Sequence, residues 1–475
     1  MEKIGELGQA ELASGMWPSV HRKQVPLWKE GENVDFVSTG PKKAQGFTAP
    51  TTPTTDGLPL RGMGQNTRND GSTHIYTGDS GKLYHWNGTT LATEGTGYTG
   101  IEDATSSQIA TTWSFKEYGD WVIATNGVDT IQINKASSFS ALGGVSTFFD
   151  TAEVVEAMNE HICVYNTDNS PYEIRWSAIG NPEQWDPATY PTSGAYVLRE
   201  ARSPIVAAVP LQEAIAIYTK EGLFLQEYVG NNNFRFRFRH AINGIGAVSK
   251  CAVVSLGRFN YGLGSGGFWK TDGGSFEYID EPAIRDYWRD NLATDQASKV
   301  CAYHNEDEKQ IIWFFPSSDE PNKGVAFDYV QGQWSILGYG RTAAVERNAF
   351  DDPYTADSSG TLYRQNQGND AGGSPLIAWA RTKGMDLGDA NVSKVLLGIR
   401  VGYIGSGLYM RIGTKEAPEQ STVDWGPYRP VTSDRLETVR RGGKLIYLEF
   451  KSEDLSVAWS LMSVELYGTV GGSRP

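Results

Sequence analysis

The sequence predicts an all-β protein: a β-propeller of six to eight blades, with seven the best count, an extended N-terminal arm before it and a C-terminal antiparallel β-sandwich after it. Three observations predict this. Among the 475 residues, 54 glycines, 12 % aromatics and frequent Asn/Asp/Thr/Ser clusters suit many short strands joined by tight turns. Hairpin-like segments recur, starting at His74, Asp120, Glu160, Glu213, Arg258, Gln310 and Asp352, each 40 to 53 residues after the last. That is the span of a four-stranded blade, which buries its faces only by stacking on neighbours. Within the hairpins apolar residues alternate: in "WVIATNG", Trp121, Ile123 and Thr125 point one way, Val122 and Ala124 the other.

Taken in order, residues 1–70 hold few apolar runs and much Pro, Thr and Gly, so an arm is expected, ordered by lying on its own propeller or on a neighbouring subunit. Residues 71–373 carry the repeat. One helix interrupts it, at "DEPAIRDYWRDNLA": Pro282 suits the first turn, Asp280 or Glu281 the N-terminal charge, and Ile284, Trp288 and Leu292 share one face. Beyond the Gly-rich "RQNQGNDAGGSP", residues 374–475 contain "KVLLGIRVG", "GLYMRIG", "KLIYLEFKS" and "WSLMSVELYG", strands enough for a sandwich.

The formal charge of −14 argues against a protein that grips a phosphate backbone, although an acidic wall that DNA slides past is compatible with it. No apolar run is long enough to span a membrane, and "MEKIGELGQAELASG" lacks the apolar centre of a signal peptide, so a protein kept in the cytoplasm is expected. Cys163, Cys251 and Cys301, odd in number and set in apolar runs, read as buried free thiols. The six histidines include no pair at metal-ligand helical spacing, and His74 and His161, which open strands, read as structural. "GLGSGG" (262–267) matches a dinucleotide fingerprint formally, but the adjoining "FWKTDGG" reads as strand and turn where a helix would be required. "KTDGGSF" lacks the order of a sialidase aspartate box, and no converging carboxylate pair can be picked from 56 acidic residues. No enzymatic activity, cofactor or metal is therefore expected; a glycan-binding or glycan-cleaving propeller used in host attachment is the alternative.

The segment "YEIRWSAIGNPEQWDP" (172–187) is more specific. Arg175, Trp176, Ser177, Gly180, Pro182 and Trp185 stand where tail nozzle and tail-hub proteins of short-tailed bacteriophages carry R-W-S-x-x-G-x-P-x-x-W, and this segment resembles theirs. "GVAFDYVQGQWSI" is similar to a blade turn of that family at Asp328 and Trp334, and the ending resembles its C-terminal GG-x-R at Gly471, Gly472 and Arg474. The resemblance implies a homohexameric ring below the portal and the adaptor (head-to-tail connector) protein. Such a ring extends the channel, helps retain packaged DNA and serves as its exit at ejection, with viral DNA as a transient partner and tail fibres or tailspikes as further candidates. It implies a virion tail location after assembly in the host cytoplasm. Some family members carry long insertions at the tip; spacings no greater than 53 residues leave no room for one here.

The densest basic stretch, "FRFRFRH", places Phe234, Phe236 and Phe238 on one strand face and Arg235, Arg237 and Arg239 on the other. The phenylalanines are expected between blades. For the arginines three fates stay open: salt bridges to an adjacent strand, a subunit or adaptor interface, or DNA in the channel.

Overall fold

The computed structural model describes residues 2–18, 27–50, 55–102, 110–135, 137–231, 234–417 and 419–471. The chain is all-β, built largely of four-stranded antiparallel sheets of the propeller kind. It divides into two compact units, one of residues 49–324 and 339–364, the other of residues 1–48, 325–338 and 365–475.

In the larger unit the sheets follow one another along the chain, each wound from its first strand outward. The first sheet comprises Met63–Thr67, Thr73–Gly78, Lys82–Trp86 and Leu91–Thr96; the second Ser114–Tyr118, Trp121–Thr125, Gln132–Asn134 and Phe139–Ala141. The third comprises Ala152–Met158, His161–Thr167, Ser170–Trp176 and Gly194–Val197, and the fourth Ile205–Leu211, Ala214–Thr219, Gly222–Tyr228 and Phe236–Asn243. A fifth runs from Val253–Ser255 through Asn260–Gly264 and Gly267–Thr271 to Phe276–Tyr278. The hairpin Cys301–Asn305 and Gln310–Pro316 comes next, and a final sheet begins Ala343–Val345, Tyr354–Ala356 and Leu362–Gln365.

Strand alternation assembles these sheets, because each can bury both faces only between two neighbours. In the third sheet Cys163 and Tyr165 enter the core shared with the fourth, while Ile162 and Val164 enter the core shared with the second. In the second, Val122 and Ala124 face the first sheet and Ile123 faces the third. Ile75, Tyr84 and Trp86 of the first sheet pack on Ala343, Tyr354 and Leu362 of the final one, so the succession closes on itself. The first strand of every sheet lies against the first strand of the next, and the last of these lies against Met63–Thr67.

The smaller unit differs from the three consecutive stretches expected from the sequence. Glu2–Leu7 and Gly40–Lys43 pair with Trp459–Val470, and Trp28–Glu32 pairs with Ala378–Thr382. The segment expected as an arm thus supplies strands to sheets completed by the C-terminal residues. One sheet runs Val34–Val37, Gly40–Lys43, Trp459–Val470, Lys394–Gly405, Leu436–Gly443; the other runs Trp28–Glu32, Ala378–Thr382, Leu445–Ser452, Tyr409–Lys415, Asp424–Trp425. Both contribute to one core, with Phe36, Leu396 and Leu466 from the first and Trp28, Leu448 and Phe450 from the second. Of the expected C-terminal GG-x-R, Gly472 and Arg474 lie outside the described residues.

The helix forms at Pro282–Asn291 with proline in its first turn and with Ile284 and Trp288 buried. Asp280 does not cap it. Its carboxylate takes a 2.7 Å bond from Arg285 instead, and Trp288 meets Phe268 of the fifth sheet edge-on at 6.1 Å. The glycines of "GLGSGG" serve a hairpin: a Cβ at Gly262 would stand 2.3 Å from Trp269 Cζ2, and Gly267 has φ of 139°. Among the described residues no helix is long and apolar enough to cross a membrane.

Candidate functional site

The segment from Arg175 to Trp185 forms a joint. Strand Ser170–Trp176 ends there, and Trp176 turns into the core between the third and fourth sheets, while Trp185, nine positions on, enters the core between the second and third. Trp176 covers Gly194 on the adjacent strand, where a Cβ would come within 2.5 Å of Cζ2, and meets Phe236 edge-on at 5.2 Å. Trp185 donates from Nε1 to the Pro182 carbonyl at 2.7 Å and packs edge-on against Phe149 at 5.0 Å. Ser177, fully buried, accepts from the Ile162 amide at 3.0 Å, and His161 Nδ1 lies 2.6 Å from the Ser177 carbonyl oxygen. Gly180 takes φ of 73°, which bends the chain back so that its amide reaches the Glu160 carbonyl at 3.0 Å. Arg175 pairs with Glu173 at 3.1 Å and lies over the ring of Phe149 at 5.6 Å.

In the smaller unit Asp328 Oδ1 accepts from the amides of Val330 and Gln331 at 2.8 and 2.7 Å, closing a turn that leads to the fully buried Trp334.

The arginine strip lies on the outermost strand of the fourth sheet, at the opposite edge from the ring of first strands. That strand begins at Phe236, so the expectation for Phe234 is corrected: it sits in the preceding turn, 68 % exposed, its amide bonded to Asn231 Oδ1. Phe236 packs on Trp176, and Phe238 stacks on Tyr196 of the third sheet at 4.4 Å. Arg237 and Arg239 each bond one oxygen of Glu227, at 2.7 and 2.8 Å, and Glu227 stands directly across from Arg237. The bond from Arg239, joined by Arg237, holds the Glu227 carboxyl below the usual carboxylate range. Arg235, in the turn, lies 3.5 Å from the Tyr228 hydroxyl.

Charged groups also meet at the hub. Lys250, just before the fifth sheet, donates to the carbonyls of Thr112, just before the second sheet, and Glu153, in the third, at 2.9 Å each and to Glu153 Oε2 at 2.6 Å. Lys299, before Cys301–Asn305, bonds Glu320 at 2.8 Å, and Arg61, before the first sheet, pairs with the same carboxylate. Lys250, Lys299 and Arg61 each lie where a first strand is about to begin, so one end of the ring is crossed by side chains. Lys250 and Arg61 meet partners 97 to 259 residues away, which is why no local pattern in the sequence announces them.

A polar cleft of about 640 Å³ opens between Leu91–Thr96 and the outer strands of the second sheet, lined by Glu94, Tyr98, Asp129, Gln132 and Phe139 among others. Asp129 accepts from the Thr99 hydroxyl at 2.8 Å, and burial raises the Tyr98 hydroxyl to about 12. Cys163, Cys251 and Cys301 are free thiols, the first and last buried. Among the described residues no group of three or more His, Cys, Asp or Glu could hold a metal ion.

No family model matches the chain, and no curated protein matches it. It is similar to solved structures at low scores. The computationally designed Ika8 protein has a TM-score of 0.41 at 10 % identity, over 68 % of this chain and 99 % of that one. The exo-β-1,3-galactanase of Phanerochaete chrysosporium has a TM-score of 0.30 with galactotriose (10 % identity, 78 % and 99 % covered) and 0.29 with galactose (11 %, 76 % and 96 %). The sequence expectation that the chain is no enzyme is corrected on this finding, since the structures it is similar to include a galactanase. At these scores the likeness assigns no activity or substrate to this chain.

Proposed function

We propose that this protein is a ring-forming component of a short-tailed bacteriophage tail, a nozzle or hub built from a seven-bladed propeller and a β-sandwich. The observation that carries this reading is an exposed apolar and aromatic edge on the outside of the third and fourth sheets. There Tyr196, Val197, Val229 and Phe234 are exposed at 39 to 68 %, and Arg237 and Arg239 stand on the other face of the same outer strand, on a chain whose net charge is −14. An exposed apolar and aromatic edge that shares its outer strand with arginines, on an otherwise acidic protein, favours a protein partner over a phosphate backbone. The resemblance of residues 172–187 to the tail nozzle family supplies the context. DNA would pass between copies of the chain, because Lys250 and Glu153 cross the hub of the single propeller.

Electron microscopy of the purified chain and of virions tests this. Rings and a place at the tail are expected, and Arg237→Glu with Arg239→Glu should abolish the rings while the monomer stays folded. A chain that stays monomeric at high concentration and is missing from virions would sink the reading.

The cleft beside Glu94 supports a second reading, a glycan-binding or glycan-cleaving propeller, because it offers two carboxylates, hydroxyls and the Tyr98 ring to one ligand. Glycan arrays and reducing-sugar release read it directly; silence in both removes it.

A further inference from the structure

Five side chains of the first sheet and its turn form one line of short polar contacts. Ser72 Oγ donates to Asp70 Oδ1 at 2.6 Å and lies 2.7 Å from His74 Nε2; His74 Nδ1 lies 2.6 Å from His85 Nε2; His85 Nδ1 lies 2.8 Å from Glu94 Oε1. At the far end Glu94 Oε2 accepts from Asn134 Nδ2 of the second sheet at 2.5 Å. The line therefore ends as a tie between two sheets. His74 is 6 % exposed, and the Tyr76 ring stacks on His85 at 5.1 Å.

Each contact needs one hydrogen between its two heavy atoms, so the four contacts need four. Ser72 carries one and each neutral imidazole carries one, which makes three when both carboxylates are ionised. In that state one contact sets two lone pairs face to face, which is repulsive at these distances. A second N–H on the imidazole beside Glu94 completes the line: His85 donates to Glu94 and to His74, His74 donates to Ser72, and Ser72 donates to Asp70.

We propose that this line holds a fourth proton at the His85–Glu94 contact and acts as a proton-operated fastener between the first and second sheets, closed in acid and loosened as the pH rises. His74 is the poorer place for that proton: burial, with Arg68 and His85 nearby, depresses it to about 4. The charged and titratable groups facing the pair are Arg68, which bonds the Tyr76 hydroxyl at 2.9 Å, and Asp70 and Tyr76 of the same sheet. From the second sheet Asn134 and Phe139 bring no charge, while Asp129, which lines the same cleft as Glu94, accepts from Thr99 and Asn126. The folded chain holds the proton, so its contribution to stability is complete at low pH and is lost as the pair deprotonates. Glu94 also lines the cleft, so loosening frees a carboxylate at the cleft wall.

The test compares the full chain with Glu94→Gln. The primary amide can donate to His85 Nδ1 and accept from Asn134, closing the line with two neutral imidazoles. Unfolding equilibria at about pH 5.5 and pH 8, with the ¹⁵N imidazole spectrum, are the measurements. Between these values the folded-to-unfolded ratio of the wild type should fall about tenfold more than that of the variant, one proton's worth of linkage over about one pH unit. At the lower pH His85 should carry two N–H groups. Equal pH slopes, or a singly protonated His85 at about pH 5.5, would overturn the proposal. If the variant does not fold, the wild-type spectrum decides by itself.

Discussion

Lys250 Nζ stands 2.6 Å from Glu153 Oε2 and 2.9 Å from the Glu153 carbonyl oxygen, so one ammonium ahead of the fifth sheet holds both the side chain and the backbone of a residue in the third. Its side chain is 11 % exposed, which limits screening by solvent. Lys250→Met keeps the stem and removes three charge-assisted bonds; a loss of about 2 kcal/mol in urea unfolding is expected. Lys135→Ala, at the exposed pair with Glu183, should cost under about 0.5 kcal/mol. Equal losses would mean that the hub tie contributes no more than a surface pair.

Gly262 and Gly442 make a matched contrast. A methyl at Gly262 would enter the Trp269 ring, whereas at Gly442 its nearest neighbour is the Lys394 carbonyl oxygen at 3.7 Å. Gly262→Ala should cost about 2–3 kcal/mol by overpacking, and Gly442→Ala should change stability by less than about 0.5 kcal/mol. Melting midpoints of the two variants, each against wild type, check this.

Trp176 and Trp185 are close in sequence but belong to cores on opposite faces of the third sheet. Trp176→Phe and Trp185→Phe should each cost about 1.5 kcal/mol, and the double variant should lose their sum to within about 0.5 kcal/mol. A strongly non-additive result in denaturant titrations would show the two cores to be coupled through the joint.

Glu449, 2 % exposed, takes bonds from Arg381 at 2.6 Å, from Arg411 at 2.8 Å and from the Tyr428 hydroxyl. Burial opposes its charge, but the bonds from Arg411, Tyr428 and Arg381 outweigh burial and hold the carboxyl below its ordinary value. Its stabilising effect is therefore present above the ordinary carboxylate range and fades as the pH falls through the lowered folded-state value. Glu449→Ala, which strands two arginines, should lose about 3 kcal/mol at neutral pH. Glu449→Gln should flatten the acid limb of the stability profile, read by circular dichroism melts across that range.

The propeller-like sheets were legible because each hairpin announces itself locally: alternation in "WVIATNG" places Val122 and Ile123 in the two cores they in fact enter. The strands Lys394–Gly405, Tyr409–Lys415, Leu445–Ser452 and Trp459–Val470 coincide with apolar runs for the same reason. Residues 1–48 were not legible, since strands such as Trp28–Glu32, reading "WKEGE", carry little apolar pattern and are fixed by partners more than 300 residues away. The arginine strand starts two residues later than its pattern suggests, because the alternation of "FRFRFRH" reaches back to Phe234, whose amide bonds Asn231 Oδ1 ahead of the strand. His74 and His85 were visible, but their contact depends on the hairpin register that sets Tyr76 opposite His85.

The pairing of Glu2–Leu7 with Val464–Gly468 has a consequence for synthesis. The strand Glu2–Leu7 hydrogen-bonds to one translated more than 450 residues later, and the larger unit is made in between. On the ribosome the sheets from Met63 onward can close in turn, each on a neighbour already present, while the opening strand waits with its backbone unpaired. A nascent chain halted near residue 380 should therefore yield a protease-resistant core lacking residues 2–7, and extension past residue 470 should protect residues 2–7 and 464–468 together.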